Sequence, residues 1–305
     1  MKANSIRESR QYFDAIATGD VTAAKIQVLL LGKRLLEHEN WFSILDTIYR
    51  NPNFSLSTKV VMVDGKVSDV IFFEPEEKAQ LPLHLNEMID NNINRTRTEN
   101  TTLQVLHRYM YEKGVTPSMP EIKREKDIKL SGISLLDKNG KYIESLGIEE
   151  SSLLLILMDE KKEELTLSFP LTTLEKDGGI FHENEISILL RKVSPKIKTK
   201  YKDGKFQFDY NITMTVSLVE QIFSSNKVTK EELEKLIEKE LESRFNKLIK
   251  KFQDLKIDPI GLGIYARAFQ YDEYKKVEDD WGAAFSEAEV NVSVDVKMIS
   301  LGVTS

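Results

Sequence analysis

The chain has 305 residues, of which 41% are hydrophobic and 30% charged, a composition that buries real cores and excludes a disordered chain. Its 43 Lys and Arg against 49 Asp and Glu leave a net charge of −6, a poor match to a phosphate backbone, so no nucleic-acid partner is expected. The absence of Cys removes disulfides, thiolate zinc sites, thiolate-held iron–sulfur clusters and Cys nucleophiles together.

At roughly 100–200 residues per domain, the length suits two or three domains. The longest apolar runs, such as Leu153 to Met158, fall well short of the roughly 20 residues that a spanning helix needs. The start, Met1 to Arg10, is polar and lacks the apolar core of a signal peptide.

Ser5 to Ala17 has a loose apolar stripe of Ile6, Phe13 and Ile16 and predicts a helix, broken at Thr18-Gly19-Asp20. Lys25 to Gly32 is a nearly continuous apolar run ending in Gly, as in a buried strand. Arg34 to His38 and Trp41 to Tyr49 read as helices, and Asn51-Pro52-Asn53 stops them. Thr58 to Val63 is a β-branched strand ended by Asp64-Gly65, and Val67 to Phe73 returns as a helix. Glu74-Pro75 and Leu81-Pro82 mark a boundary, so residues 1–82 form an N-terminal α/β domain lacking some strands.

Leu83 to Ile93 and Thr101 to Tyr111 predict two helices, the second ending near Gly114 and Pro117. Ile128 to Leu136 is a strand, Asp137-Lys138-Asn139-Gly140 a tight turn, and Tyr142-Ile143 the return strand. Glu149 to Met158 is a short helix apolar on most sides, and Leu165 to Phe169 alternates as a strand. Residues 83–183 thus read as an α+β middle domain.

Residues 184–305 have the cleanest pattern. Phe206, Phe208, Tyr210, Ile212, Met214, Val216 and Leu218 alternate with polar neighbours, which gives a strand one buried face and one wet face. Lys196 to Tyr201 precedes it across Lys202-Asp203-Gly204-Lys205, a hairpin signal. Val290, Val292, Val294, Val296 and Met298 alternate in the same way near the end. Between them, Thr229 and Glu232 form a capping box for a long helix with an apolar stripe from Leu233 to Leu255. The expected fold class is α+β: three mixed α/β domains, the last an antiparallel sheet packed against the long helix. Phe208, Tyr210, Ile212, Val292 and Val294 are expected to face the helix. Gln207, Asn211, Thr213, Thr215, Lys235, Glu238 and Glu242 are expected on exposed faces, where changes cost little stability.

The chemistry-bearing residues give no catalytic, cofactor-binding or metal constellation, so no enzyme and no cofactor is expected. His38, His84, His107 and His182 are never three or four residues apart, the spacing that puts two ligands on one helix face. Gly261-Leu262-Gly263-Ile264-Tyr265-Ala266 fits G-x-G-x-x-A, but a long helix precedes it where a dinucleotide site needs a strand, so it reads as a tight turn. The pairs Glu76-Glu77, Glu163-Glu164 and Asp279-Asp280 read as solvated acids. Lys192 to Lys205 reads as an edge strand guarded by lysines rather than as a lipid or nucleic-acid site, and Trp281 as packing beside the end of the long helix.

Three blocks occur in a telling order. Near the start come Ala24 to Gly32 and Tyr49-Arg50-Asn51-Pro52. In the middle are Ile128-Lys129-Leu130-Ser131-Gly132 and Leu146 to Ser151. At the end stand the long helix, Leu255 to Gly263, Asp280-Trp281, Phe285, the valine strand and Leu301-Gly302. In this order the sequence resembles the Ger(x)C family, the C subunits of nutrient germinant receptors in spore-forming bacteria. The resemblance implies a three-domain, non-catalytic lipoprotein on the outer face of the spore inner membrane, acting through contacts with a polytopic A subunit and a B subunit. The lipobox cysteine of the family is missing, as are early strands expected before residue 1. The chain therefore reads as a soluble piece or an anchorless variant, and its membrane attachment is implied only through the family's lipid anchor. The alternative is an extracytoplasmic protein that binds a small germinant directly, for which a concave apolar pocket would speak; a hydrolase assembled from scattered residues is a third reading.

Overall fold

The structure is a computed structural model that describes residues 8–9, 12, 15–17, 26–52, 54–74, 80–163, 165–170, 185–222 and 229–300. The predicted helix over Ser5 to Ala17 and its break lie largely outside them. Helices and two sheets bear out the α+β class, but the chain divides into two compact units. One holds the chain to Gly147 apart from Ile93–Arg97 and Lys113–Val115, which belong with Ile148 onward in the other.

The first unit is built on a five-stranded sheet, β1 (Val28–Gly32), β2 (Lys59–Val63), β3 (Ser118–Arg124), β4 (Ile128–Leu136) and β5 (Tyr142–Leu146), in that spatial order. β1 and β2 are parallel, from Val28↔Lys59 to Gly32↔Val63, and the helical segments between them supply the crossover that a parallel pair needs. Those segments include helices α1 (Lys33–Leu36) and α2 (Asp46–Tyr49) and a 3-10 turn over Trp41–Leu45. Helices α3 (Val67–Ile71), α4 (Leu81–Asn94) and α5 (Leu103–Tyr111) follow. Leu31, Leu36, Trp41, Val60, Met62, Leu103, Leu106, Met119 and Leu136 form one buried cluster. The turn into β5 is stapled twice: Asp137 Oδ1 accepts from the backbone N–H of Asn139 and Lys141 at 2.8 Å each, and Trp41 Nε1 donates to the Gly140 carbonyl at 2.6 Å.

This sheet corrects the expected boundary near residue 82. β3 was not predicted, since Pro120, Glu121, Lys123 and Arg124 break the apolar alternation. It pairs parallel to β2 at Met62↔Glu121 and Val63↔Ile122 and antiparallel to β4, joining strands assigned to separate domains. Pro120 lies just before the short β2 pairing. Glu121 is buried but not bare: its Oε2 accepts from Ser134 Oγ at 2.9 Å and from Ser145 Oγ, which itself lies 2.9 Å from the Tyr142 hydroxyl.

The second unit starts with α6 (Ile148–Leu157), buried along Ser151 to Leu157 as predicted. Its sheet has the order β6 (Leu165–Pro170), β7 (Glu185–Lys202), β8 (Lys205–Ile222), β9 (Glu289–Ser300). β6 pairs with β7 from Leu165↔Leu190 to Pro170↔Glu185, so the expected boundary near 184 does not divide the units either. β7 and β8, 18 residues each, make a hairpin closed by Asp203 at φ 52° and Gly204 at φ 78°, the left-handed pair that suits the strand twist.

Helix α7 (Lys230–Leu255) carries the predicted capping box, with Thr229 and Glu232 satisfying each other's backbone N–H. Its residues Leu233, Ile237, Leu241, Phe245, Leu248, Ile249 and Phe252 are buried, as are Phe208, Tyr210, Ile212, Met214 and Val216 on β8 and Val294 on β9; Val292 is half-buried. The C-terminal sheet is not wholly antiparallel. β9 runs parallel to β8, from Gln207↔Glu289 to Ser217↔Ser300, because the chain between them crosses back through α7 and short helices rather than a hairpin.

Candidate functional site

Helix α7 ends at Lys256, whose φ of 56° turns the chain sharply. Asp258 follows, fully buried, and takes the donors of the next turn. Its Oδ1 accepts from Gly261 N–H at 2.8 Å, and its Oδ2 from Gly263 N–H at 2.9 Å and from Trp281 Nε1 at 2.8 Å. Gly261, at φ 86°, starts α8 (Leu262–Phe269). So the G-x-G-x-x-A string does open a helix, but with α7 before it, and its glycines wrap a carboxylate of the same chain. Burial pushes the Asp258 carboxyl up, and the hydrogen bonds from Trp281, Gly263, Leu262 and Gly261 oppose that shift. A saturated, inaccessible carboxylate serves as a clamp rather than a base.

The clamp is packed backbone to backbone. A Cβ on Gly263 would lie 2.6 Å from Gly114 Cα, and one on Gly282 would lie 2.1 Å from the Lys256 carbonyl oxygen. Trp281 opens α10 (Trp281–Ser286), is buried as predicted, and its ring meets Phe206 at 5.2 Å, Tyr274 at 5.5 Å and Phe285 at 6.4 Å. Lys113 Nζ adds ion pairs to Glu278 at 2.8 Å and Asp279 at 2.7 Å, which raise the lysine's pKa.

The clamp holds two consecutive helices, α8 and α9 (Tyr271–Val277), and these carry an exposed apolar surface. Phe269 is 65% exposed and Tyr271 57%, flanked by Ile264 and Tyr265 at 38% and 37%. Tyr201, at the end of β7, is also exposed and lies near Lys276 of α9. Gln270 Nε2 ties the α8–α9 junction to the Thr199 carbonyl at 3.4 Å. Four large apolar side chains in eight residues, raised on a braced turn, form the candidate interaction surface of this unit. Sequence periodicity missed it, because a short helix with apolar residues all round does not reveal which of them face water.

The other singled-out residues do not converge on it. His38 and His107 are exposed and His84 half-buried, on separate elements, while His182 lies outside the described residues. His107 sits 4.7 Å, ring to ring, from both Tyr49 and Tyr111. Among the described residues no three His, Asp or Glu side chains are arranged to hold a metal. Glu76, Glu77 and Glu164 lie outside the described residues. Lys192, Lys196, Lys198, Lys200 and Lys202 are exposed along β7 beyond Leu190, where β6 no longer pairs, and Lys200 reaches Asp209 at 3.6 Å.

The expectation that Glu238 and Glu242 are dispensable surface charges is corrected. Glu242 accepts from Val294 N–H at 2.9 Å and Glu238 from Val296 N–H at 2.9 Å, and Glu234, one turn earlier, accepts from Met298 N–H at 2.6 Å. A helical wheel shows these glutamates as polar, and Glu234 also pairs with Lys230 at 3.9 Å, but only the neighbouring strand edge gives all three a backbone N–H. Gln207 likewise donates to Glu289 at 2.9 Å, and Asn211 accepts from Ser293 Oγ at 2.8 Å.

Comparison with known proteins gives the chain relatives. Residues 131–302 match the family described as spore germination B3/GerAC like, C-terminal, and residues 1–124 match the spore germination protein N-terminal domain. Spore germination protein B3 of Bacillus subtilis (strain 168) is 24% identical over 291 residues, covering 91% of this chain and 74% of that protein. Spore germination protein GerQC of Bacillus cereus is 22% identical over 296 residues, covering 94% and 78%. The crystal structure of the GerBC protein superposes with a TM-score of 0.71 at 23% identity, covering 94% of this chain and 83% of that one, and so shares its fold.

Proposed function

This chain belongs to the spore germination B3/GerAC-like family, and on that premise we propose that it is the non-catalytic C subunit of a nutrient germinant receptor. The observation that carries the reading is that both family segments match, in order, along nearly the whole chain. A role in spore germination follows from the family itself. Its partners are a polytopic A subunit and a B subunit, and its setting is the outer face of the spore inner membrane with a lipid anchor, as the resemblance implies. The exposed surface of Ile264, Tyr265, Phe269 and Tyr271 supports work by docking, since large apolar side chains on a rigid turn are the chemistry of an interface core.

A photo-crosslinking side chain placed at position 269 or 271, followed by identification of adducts from spore membranes, tests this. Adducts with the A or B subunit, together with loss of germination in Phe269→Ala and Tyr271→Ala spores of normal protein abundance, are the expected result. Full germination by folded double variants refutes docking through this surface. A saturable thermal shift with a single amino acid supports direct germinant capture instead. Tight binding adds about 2.7 kcal/mol at a hundredfold excess over Kd, a shift hard to overlook.

A further inference from the structure

Among the described residues β9 is an edge strand of its sheet, and an edge strand displays N–H groups that invite another strand. Here alternate N–H groups, those of Val294, Val296 and Met298, are each taken by a glutamate of α7. The match is periodic. The acceptors are Glu242, Glu238 and Glu234, four residues apart on a helix, which is about 6.0 Å, while two residues of strand advance about 6.6 Å. Three rungs therefore stay in step, with the two elements running in opposite directions.

We propose that these three carboxylates act as a guard in place of a neighbouring strand, and that the edge they close is complementary to a second copy of this chain. The outward N–H groups belong to even-numbered residues, so an antiparallel pairing of two β9 strands must set even residues opposite even ones. A two-fold axis through Val296 does this. It pairs Val294 with the other copy's Met298 and sets Asp295 opposite the other copy's Lys297 twice, an isologous and charge-complementary register. A centre at Val294 sets Asp295 opposite Ser293 and forms no such ion pair. The apolar alternation of Val290, Val292, Val294, Val296 and Met298 is itself the pattern that makes an open edge prone to pairing.

The test compares the full chain with Glu234, Glu238 and Glu242 all changed to Gln, which keeps an acceptor oxygen, and all changed to Ala, which removes it. Hydrogen exchange of the Val294, Val296 and Met298 amides should quicken about tenfold or more in the Ala variant and stay near the parent rate in the Gln variant. Sedimentation should show the Ala variant forming a dimer as concentration rises. Adding Asp295→Lys, which sets like charges opposite Lys297, should return it to the monomer. Unchanged exchange in the Ala variant overturns the guard. A monomer at every concentration, or association that Asp295→Lys leaves intact, overturns the pairing. If the triple Ala variant fails to fold, Glu238→Ala alone, read at the Val296 amide, decides the guard. The pairing is then decided in a variant with Glu234, Glu238 and Glu242 all changed to Met, which frees the same three N–H groups but keeps side-chain length and helix propensity, by crosslinking between copies with a single Cys at position 295 and, in a second preparation, at 297. Crosslinks in a mixture of the two that exceed those in either alone support the register, and their absence refutes it.

Discussion

Replacing Asp258 with Asn turns one carboxylate oxygen into an amide nitrogen at a site where every polar partner donates. The amide will orient to lose the single bond from Gly261 rather than the two from Gly263 and Trp281. It then points its own N–H2 at the Gly261 N–H. One buried donor left without an acceptor costs about 1–3 kcal/mol, and the opposed donors add to this. Relief from burying an ionisable group returns part of it, so the net loss should be about 2–4 kcal/mol, against about 5–15 kcal/mol for a whole domain. Urea unfolding of the purified chain reads it directly. Trp281→Phe keeps the ring against Phe206 and Tyr274 but removes one charge-assisted bond, for about 1–3 kcal/mol. Because both changes act on the same oxygen pair, the double variant should be less unstable than the sum by about 1 kcal/mol. A loss below about 0.5 kcal/mol for Asp258→Asn would refute the clamp. The pH dependence has a definite sign. Burial raises Asp258 above its unfolded value, so the folded state binds the proton more tightly. The stability linked to that proton is complete below the unfolded carboxyl range and is lost as pH rises through the folded pKa. Asp258→Asn should flatten the unfolding profile in that window.

Gly282→Ala drives a Cβ to within 2.1 Å of the Lys256 carbonyl oxygen, so the turn must shift; about 3 kcal/mol or more, or failure to accumulate in the fold, is expected by circular dichroism and melting. Phe245→Ala should cost about 3–5 kcal/mol in denaturant unfolding, while Lys235→Ala on the exposed side of the same helix should stay within about 0.5 kcal/mol. Glu125 accepts from Lys129 at 2.5 Å and Lys123 at 2.9 Å, which draws its pKa down to about 2. A carboxyl carbon titration should show that low midpoint, moving up in high salt or in Lys129→Ala.

Local periodicity determined much of this protein by itself. The alternation over β8 and β9, the apolar stripe of α7, its Thr229–Glu232 capping box and the Asp203-Gly204 turn each depend on residues within a few positions of one another. Their hydrogen bonds or buried faces repeat with the backbone's own period. The ordered blocks that resemble the Ger(x)C family were legible as strings of neighbouring residues, by resemblance and not by periodicity. Tertiary structure decided what depends on distant chain meeting. β3 is a strand because Met62 and Gly132 flank Glu121 and two serines satisfy its carboxylate, although Pro120 and Glu121 argue locally against it. β9 is parallel to β8 because the whole connection between them crosses back, a direction that alternation cannot encode. Asp258 and the ladder of Glu234, Glu238 and Glu242 look like ordinary acids in the chain. They become a clamp and a strand-edge seal only when folding brings N–H donors within hydrogen-bond reach, since an acceptor's role is set by what donates to it and not by its neighbours in sequence.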